Sequence, residues 1–281
     1  MEQQSKEKLE YFITKDGKKL FRKSWLPEKE PKAVMIIVHG FAEYCDRYHH
    51  VAQYLNEFGY AVESFDLRGH GHSDGIRTYV HSFENLLDDL DIFLEQCAEK
   101  YPDKPIFMFG HSMGGAIVSL FSITRQPDIA GILLSGASIK VSDEISPTLV
   151  KLSKILGKIV PKMQTIKLKS EHISHDPEIV KKYDNDPLVY RGGVLARTGA
   201  ELNKATEKIQ AQMGKFKLPV LIMHGDIDKL ADCDGSKMFY DHISSQDKTL
   251  KLYEGFYHEI VNEIGKDKVL RDISDWLEKR A

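Results

Sequence analysis

Short apolar runs alternate with longer segments of helical periodicity along most of the chain. The runs are bounded by turn residues, and several are apolar at both odd and even positions, as buried parallel strands are. We predict six such strands, at residues 33–38, 61–65, 106–109, 132–134, 220–223 and 250–253. Helices are predicted between them, at residues 47–58, 83–100, 113–125, 234–243 and 266–279. This alternation indicates an α/β fold with a mostly parallel central sheet flanked by helices.

The beginning of the chain is polar and leads into a predicted hairpin. Residues 1–10 contain no apolar stretch that could form the core of a signal peptide, so secretion is not expected. Residues 9–13 and 20–25 are strand-like and flank the turn Lys15-Asp16-Gly17, which predicts an antiparallel hairpin on one sheet edge. The longest apolar runs hold about six residues, whereas a membrane-spanning helix needs roughly 20, so no such helix is predicted.

One long segment interrupts the alternation of strands and helices. About 80 residues, from 139 to 218, separate two successive strands, although loops in α/β proteins usually contain two to six residues. We therefore predict a core of residues 1–138 and 219–281, with an inserted helical cap at 139–218 that returns to the core. The length of 281 residues suits two domains or one domain with such an insertion.

The first half of the cap is predicted to form a basic amphipathic helix. Residues 145–170 contain six lysines and no acidic residue. One helical face carries Leu149, Leu152, Leu156 and Ile159, and another carries Lys151, Lys154, Lys158 and Lys162. Such a helix can dock reversibly on an anionic membrane, or it can pack on the core while its lysines are merely solvated.

Composition and charge exclude several classes of protein. Hydrophobic residues make up 42% and charged residues 29% of the chain, which is ordinary for a globular protein. The formal net charge is −3, so there is no global positive field to hold a phosphate backbone, and no nucleic-acid partner is expected. Cys45, Cys97 and Cys233 are odd in number and widely spaced, which predicts neither a disulfide framework nor a zinc site. A cytoplasmic, reducing location is therefore expected.

The segment Gly110-His111-Ser112-Met113-Gly114 fits the pattern G-x-S-x-G. An apolar strand enters this segment and a helical segment leaves it, as in a nucleophile elbow. The glycines allow close backbone approach in the sharp turn, which exposes the serine hydroxyl. The alternative is an ordinary strand-to-helix turn in which Ser112 caps the helix.

A serine nucleophile needs a base, and the base needs an acid that fixes its tautomer. Asp228 follows one late strand and His258 follows the next, so Ser112, Asp228 and His258 occur in the chain order expected after a nucleophile elbow. Other acids near the same loop remain open as alternatives: Asp226, Asp232 and Asp234. Other histidines are weaker candidates for the base: His70, His72, His81, His224 and His242.

An ester-cleaving serine also needs two N–H donors for the oxyanion. We predict the backbone N–H of Phe41, after the strand at 33–38, and the backbone N–H of Met113, directly after Ser112. The alternative is that His39-Gly40 simply ends a strand. The histidines at 49, 50, 70 and 72 lack the spacing of a zinc hydrolase, so no metal site and no cofactor are expected.

Several longer segments are far more specific together than any single motif. They are His39-Gly40-Phe41-Ala42-Glu43 with Arg47-Tyr48, Asp66-Leu67-Arg68-Gly69-His70-Gly71-His72-Ser73, Gly110-His111-Ser112-Met113-Gly114-Gly115, Tyr183-Asp184-Asn185-Asp186-Pro187-Leu188, His224-Gly225-Asp226-Ile227-Asp228, and residues 245–255 leading to His258. With them, nearly the whole chain resembles the monoacylglycerol lipase and lysophospholipase family of serine hydrolases, which has the α/β-hydrolase fold. The resemblance implies that Glu43, Arg47 and Tyr183 hold the glycerol head of the substrate. Animal members place a second histidine where this chain has Val261.

The leading hypothesis is a serine carboxylester hydrolase that cleaves monoacylglycerols to fatty acid and glycerol through an acyl-enzyme. The expected acyl tunnel is formed by apolar cap residues above the elbow: Leu149, Leu152, Ile155, Leu156, Ile159 and Val160. Alternatives are a lysophospholipase, an esterase for aryl or hydroxycinnamoyl esters, an acyltransferase, and a non-catalytic ligand receptor on a hydrolase scaffold. A peripheral membrane contact through the basic cap helix is a further hypothesis, and no protein partner is predicted.

Overall fold

The computed structural model of the protein describes residues 6–140 and 147–281, and the side chains of residues 147–151 and 153 lie outside this description. Within this part of the chain, eight strands form one sheet: β1 (Lys6–Ile13), β2 (Lys19–Leu26), β3 (Ala33–Val38), β4 (Tyr60–Phe65), β5 (Ile106–His111), β6 (Gly131–Ser135), β7 (Val220–Gly225) and β8 (Lys248–Tyr253). The α-helices described are α1 (His49–Glu57), α2 (Phe83–Lys100), α3 (Met113–Arg125), α4 (Pro147–Ile159), α5 (Pro177–Asn185), α6 (Ala196–Gln212), α7 (Cys233–His242) and α8 (Lys266–Leu277).

The strand order in the sheet is β1-β2-β4-β3-β5-β6-β7-β8. The hairpin β1–β2 pairs antiparallel and joins β4 antiparallel, whereas the pairs from β4 through β8 are parallel. The α/β prediction and the hairpin on the sheet edge are confirmed. All six side chains of β3, Ala33–Val38, are buried, which explains why this strand is apolar at every position.

Two hydrophobic cores cover the two faces of the sheet. On one face, α2, α3, α6 and α7 bring side chains such as Phe93, Phe121, Ile209 and Phe239 against alternate strand residues. On the other face, α1 and α8 bring Leu55 and Trp276 against the remaining ones. Helices cover both faces of the sheet, so the loops that can meet and form a site lie at the carboxyl ends of the parallel strands.

The segment between β6 and β7 contains α4, α5 and α6. Helix α6 packs against α3, and α4 packs against α6, where a Cβ on Gly157 would lie 2.9 Å from Cβ of Ala200. Helix α4 ends at Ile159, so Lys162 lies beyond the helix that was predicted to include it. The division of the chain into core and cap stays a prediction. None of the helices in the described residues is long and apolar enough to cross a membrane.

Candidate active site

A sharp turn between β5 and α3 carries Ser112. Its φ angle is +52°, a conformation that is strained for a residue with a side chain and typical of a nucleophile elbow. A Cβ on Gly114 would overlap the carbonyl oxygen of Val38, so only glycine allows the helix to start this close to β3. The G-x-S-x-G segment therefore has the strand, turn and helix that were predicted for it.

Two loops after neighbouring parallel strands bring Asp228 and His258 together. Asp228 follows β7, His258 follows β8, and Nδ1–H of His258 donates to Oδ2 of Asp228 at 2.7 Å. The other carboxylate oxygen, Oδ1, accepts the backbone N–H groups of Leu230 and Ala231 at 2.7 and 3.0 Å. The acid is thus held by its own loop while it fixes the ring of the histidine.

The rival acids have other partners in the structure. Asp226 accepts the N–H of Gly255 at 2.7 Å, and Asp232 caps α7 by accepting the N–H of Asp234 at 2.9 Å. Asp234 is exposed and pairs with Lys237. Of these four acids, only Asp228 contacts His258 in the described part of the chain.

A second histidine, His224, also binds Asp228. Its Nε2–H donates to Oδ2 of Asp228 at 3.0 Å, and its Nδ1 accepts the hydroxyl proton of Ser236 at 2.7 Å. His224 is fully buried and is the second-to-last residue of β7. Sequence reasoning treated His224 only as a weak candidate for the base and missed this contact, although its spacing of four residues from Asp228 was visible.

The pKa values of Asp228 and His258 are shifted in opposite directions. Burial acts to raise the pKa of Asp228, but the charges and hydrogen bonds of His258 and His224 together outweigh it, so the pKa of this carboxyl lies well below its usual range. Burial acts to lower the pKa of His258, but the charge and hydrogen bond of Asp228, together with the charges of Glu259 and Glu43, outweigh it, so the pKa of His258 is raised. The site therefore favours the ion pair that forms when His258 takes a proton.

Ser112 and His258 line one small cavity together with residues of three other loops. Its walls include Gly40 and Phe41 from the core, and Leu168, Ile173 and Tyr183 from the segment between β6 and β7. The cavity volume is about 40 Å³, which is the space of one or two water molecules. Oγ of Ser112 makes no hydrogen bond within the described residues, so the hydroxyl is available to a reacting group.

The loop after β3 brings a second backbone donor to Ser112. A Cβ on Gly40 would lie 3.1 Å from Cβ of Ser112, so this loop approaches the elbow closely. The N–H of Phe41 finds no acceptor within the described residues, and the N–H of Met113 is at the first position of α3, where no intrahelical acceptor exists. Both N–H groups lack an acceptor in the described part of the chain, and their role as donors to an oxyanion stays a prediction.

A buried cluster of three charged residues, the site cluster, lies beside these donors: Glu43, Arg47 and Glu259. Nη1 of Arg47 lies 2.8 Å from Oε2 of Glu43 and 2.7 Å from Oε1 of Glu259, and its Nη2 lies 2.7 Å from Oε2 of Glu259. The guanidinium also lies 4.8 Å from the ring centroid of Tyr183. Glu259 directly follows His258, and sequence analysis did not single it out.

His111 and His258 are neighbours with different environments. Their ring centroids are 4.7 Å apart, but Nδ1 of His111 donates to the carbonyl of Ser135 rather than to a carboxylate. Burial, together with the nearby His258, lowers the pKa of His111 to about 4. His111 is therefore a neutral wall of the cavity.

The structure corrects the predicted acyl tunnel. Leu152, Ile155, Leu156, Ile159 and Val160 do not line the cavity, and the side chain of Leu149 lies outside the described residues. The physical reason is the orientation of α4, which turns Gly157 and Lys154 toward α6, where Lys154 pairs with Glu207 at 2.8 Å. Leu152, Ile155 and Ile159 consequently face outward, and Leu168, Ile173 and Leu230 supply the apolar wall instead.

One further group of possible metal ligands, Glu7, Asp46 and His49, lies near the start of the chain. Their ligand atoms lie within 4.8 Å of one another. Nζ of Lys23 already lies 3.0 Å from Glu7 and 2.6 Å from Asp46, so an ammonium occupies the place between the two carboxylates. These contacts account for the cluster without a metal ion.

Known proteins are similar to this chain along most of its length. A family model described as "Serine aminopeptidase, S33" (Hydrolase_4) matches residues 29–265. A monoacylglycerol lipase of Mycolicibacterium smegmatis is 35% identical, with 90% of this chain and 90% of that protein covered. A monoglyceride lipase of Rattus norvegicus is 34% identical, with 97% of this chain and 91% of that protein covered.

Solved structures give the same picture. A soluble variant of monoglyceride lipase from Saccharomyces cerevisiae, crystallised with a substrate analogue, has a TM-score of 0.89 at 28% identity. The match covers 99% of this chain and 96% of that chain. The similarity thus extends through both the sheet and the segment between β6 and β7.

Proposed function

The chain belongs to the serine aminopeptidase S33 family and is a serine hydrolase with the α/β-hydrolase fold, and from this premise we propose that it hydrolyses monoacylglycerols to fatty acid and glycerol. One observation carries the proposal. Ser112 and His258 share a cavity and Asp228 binds His258, in a chain similar along at least 90% of its length to monoacylglycerol lipases.

In the proposed first half-reaction, Oγ of Ser112 attacks the ester carbonyl carbon while Nε2 of His258 takes the hydroxyl proton. The carbonyl oxygen becomes an oxyanion, which the N–H groups of Phe41 and Met113 stabilise. Asp228 stabilises the imidazolium and holds its Nδ1–H. Collapse of the intermediate breaks the ester bond, and His258 returns the proton to the glycerol oxygen that leaves.

In the second half-reaction, water takes the place of glycerol. His258 removes a proton from the water as it attacks the acyl carbon, and the same two N–H groups hold the second oxyanion. The acyl–Ser112 bond then breaks, the proton of His258 returns to Oγ, and the fatty acid leaves. Both half-reactions use one base and one pair of donors.

Tyr183 is the proposed polar contact for the glycerol head. It lines the cavity with its ring against Arg47, and its hydroxyl makes no hydrogen bond within the described residues. A cavity of about 40 Å³ is far smaller than the roughly 300 Å³ or more of a small-molecule site. We therefore expect the wall formed by Leu168 and Ile173 to move before a monoacylglycerol can bind.

The outward face of α4 supports a peripheral contact with lipid surfaces. Leu152, Ile155 and Ile159 are 42%, 56% and 73% exposed. Exposed lysines lie on or after the same helix: Lys158, Lys162, Lys167 and Lys169. Apolar side chains beside several lysines suit an anionic bilayer, where each lysine contributes about 1 kcal/mol.

The function is tested by hydrolysis of four esters: a monoacylglycerol, a lysophosphatidylcholine, a triacylglycerol and a short aryl ester. Wild type and Ser112→Ala are compared on each. We expect fastest cleavage of the monoacylglycerol and a loss on the order of a millionfold in Ser112→Ala. Faster cleavage of another ester would overturn the substrate proposal and keep the serine hydrolase. Absence of Ser112-dependent cleavage of all four would overturn the proposed role of Ser112.

The membrane contact is tested by co-sedimentation with vesicles of phosphatidylcholine, with and without phosphatidylserine. Replacing Lys158, Lys162, Lys167 and Lys169 by Gln should weaken binding to the anionic vesicles at least about tenfold. The matched control replaces four exposed lysines elsewhere: Lys6, Lys8, Lys15 and Lys29. Equal binding by both variants, or no effect of phosphatidylserine, would contradict the proposal.

A further inference from the structure

Both terminal nitrogens of Arg47 are bound by carboxylates of the protein. Its side chain is 11% exposed, and its terminal nitrogens are taken up by Glu43 and by a bidentate pair with Glu259. Glu43, Glu259 and Tyr183 line the cavity, but Arg47 does not, because the ring of Tyr183 lies against the guanidinium. Nη1 and Nη2 of Arg47 therefore point at carboxylates of the protein, and the guanidinium is not part of the cavity wall.

The two carboxylates that Arg47 binds lie on the loops that contain Phe41, the proposed oxyanion donor, and His258, the proposed base. Oε1 of Glu43 accepts the N–H of Gly40 at 2.6 Å and the hydroxyl of Tyr48 at 2.7 Å, which fixes the loop that presents Phe41. Glu259 follows His258, and its Oε2 also accepts from the side chain of Asn262 at 2.9 Å. Arg47 thus joins the loop after β3, which carries Phe41, to the loop after β8, which carries His258.

Resting on the proposed function, we propose that Arg47 and Glu259 are positioning residues, which hold the oxyanion donor and the base at a fixed separation, and that neither is a ligand of glycerol. The proposal reassigns Arg47, for which the family resemblance implied a glycerol contact. It also gives a role to Glu259, which no motif indicated. A buried bidentate pair suits this role because its geometry allows little displacement of either loop.

A glycerol ligand and a positioning residue differ in what their loss does to two substrates. Loss of a glycerol ligand raises KM for a monoacylglycerol and leaves an aryl ester unaffected, because the aryl ester has no glycerol. Loss of a positioning residue lowers kcat for both esters, because both depend on the same donors and base. The comparison of the two esters therefore separates the two roles.

The test uses Glu259→Gln, which keeps the shape of the side chain and removes its charge. We expect kcat to fall roughly 10- to 100-fold on both the monoacylglycerol and the aryl ester, with KM changed less than about threefold. The matched control is Glu63→Gln, because Glu63 is also fully buried and paired with an arginine, Arg22, but contacts neither loop. Its kcat per folded molecule should be that of wild type.

Arg47→Lys is the second variant. Lysine keeps the positive charge but cannot form the bidentate pair, so kcat should fall on both esters as it does in Glu259→Gln. A rise in KM confined to the monoacylglycerol, or kinetics equal to wild type in both variants, would overturn the proposal. If wild type cleaves the aryl ester alone, the substrate proposal fails and the aryl ester still decides the positioning role.

The rate at which a fluorophosphonate labels Ser112 measures the positions of the base and the oxyanion donors without any ester substrate. The serine oxygen bonds to phosphorus and fluoride leaves, so the reaction depends on the base and the oxyanion donors. Labelling of both variants should be slower than that of wild type by a factor similar to the loss in kcat. Equal labelling rates would contradict the proposal even if no ester in the panel is a substrate.

Discussion

Two buried ionic clusters in this protein use similar residues for different ends. The site cluster of Glu43, Arg47 and Glu259 has two carboxylates and one guanidinium, and it joins two loops. The second, here called the edge cluster, consists of Arg22, Glu63 and Lys100, with one carboxylate and two cations. It joins β2, β4 and the end of α2, all of which are regular elements.

The difference between the clusters lies in their charge and in what they adjoin. The site cluster carries one excess negative charge beside His258, the group that becomes positive during the proposed reaction. The edge cluster carries one excess positive charge and satisfies a carboxylate that would otherwise be buried alone in β4. Buried ion pairs of similar geometry can thus position catalytic groups or simply hold secondary-structure elements together. Which role a pair has depends on the groups beside it.

The largest effect on kcat is expected from removing the charge of Asp228, the carboxylate that binds His258. Asp228→Asn replaces an acceptor by an amide that can donate to Nδ1, which favours the wrong tautomer of the base. We expect kcat to fall on the order of 10⁴-fold, measured on the aryl ester, with a thermal midpoint that shows the variant is folded. A loss of less than tenfold would mean that Asp228 is not the acid of the triad.

The same change of charge in the edge cluster should affect stability instead of rate. Glu63 accepts from Arg22, Ser24, Lys100 and Tyr101 at 2.6 to 2.9 Å, and an amide in Glu63→Gln cannot accept from all four. Urea unfolding should show a loss of about 3 to 5 kcal/mol, the usual cost of breaking a buried pair. A fall in kcat per folded molecule without a loss of stability would erase the distinction between the two clusters.

The smallest effect concerns two neighbouring imidazoles. NMR titration should show His258 protonating above the ordinary histidine value of 6.5 and His111 at about 4, because only His258 faces a carboxylate. The unfolded chain takes up a proton on His111 near pH 6.5, so His111 makes stability fall as the pH drops from about 6.5 toward 4. Titration of both rings at one pH would contradict the assigned environments.

The sequence predicted the regular elements well where local signals and burial agreed. The predicted helices 83–100 and 113–125 match α2 and α3 at both ends. Helix α2 begins where Ser82 accepts the N–H of Glu84, and α3 begins at the elbow itself, so each start has a local cause. Strand β6 continues to Ser135 and β8 already begins at Lys248, beyond their predicted bounds, because the ladder of hydrogen bonds continues through polar residues.

The candidate triad could be placed from the order of motifs because each member follows a strand end. Glu259 could not be found in this way, since its role depends on Arg47, which is 212 positions away in the sequence. Helix α4 shows a second limit. Periodicity indicated which residues share a face, but only packing against α6 through Gly157 determined that the apolar face of Ile155 and Ile159 points outward.

The central claim is that an acyl group is carried by Ser112. The most direct measurement is mass spectrometry of the protein quenched during rapid turnover of an aryl ester, followed by mapping of the modified peptide. We predict one added acyl mass for each chain, located on Ser112, with a burst of phenol equal to the enzyme concentration and no adduct in Ser112→Ala. Turnover without an adduct, or an adduct on another residue that persists in Ser112→Ala, would contradict the account.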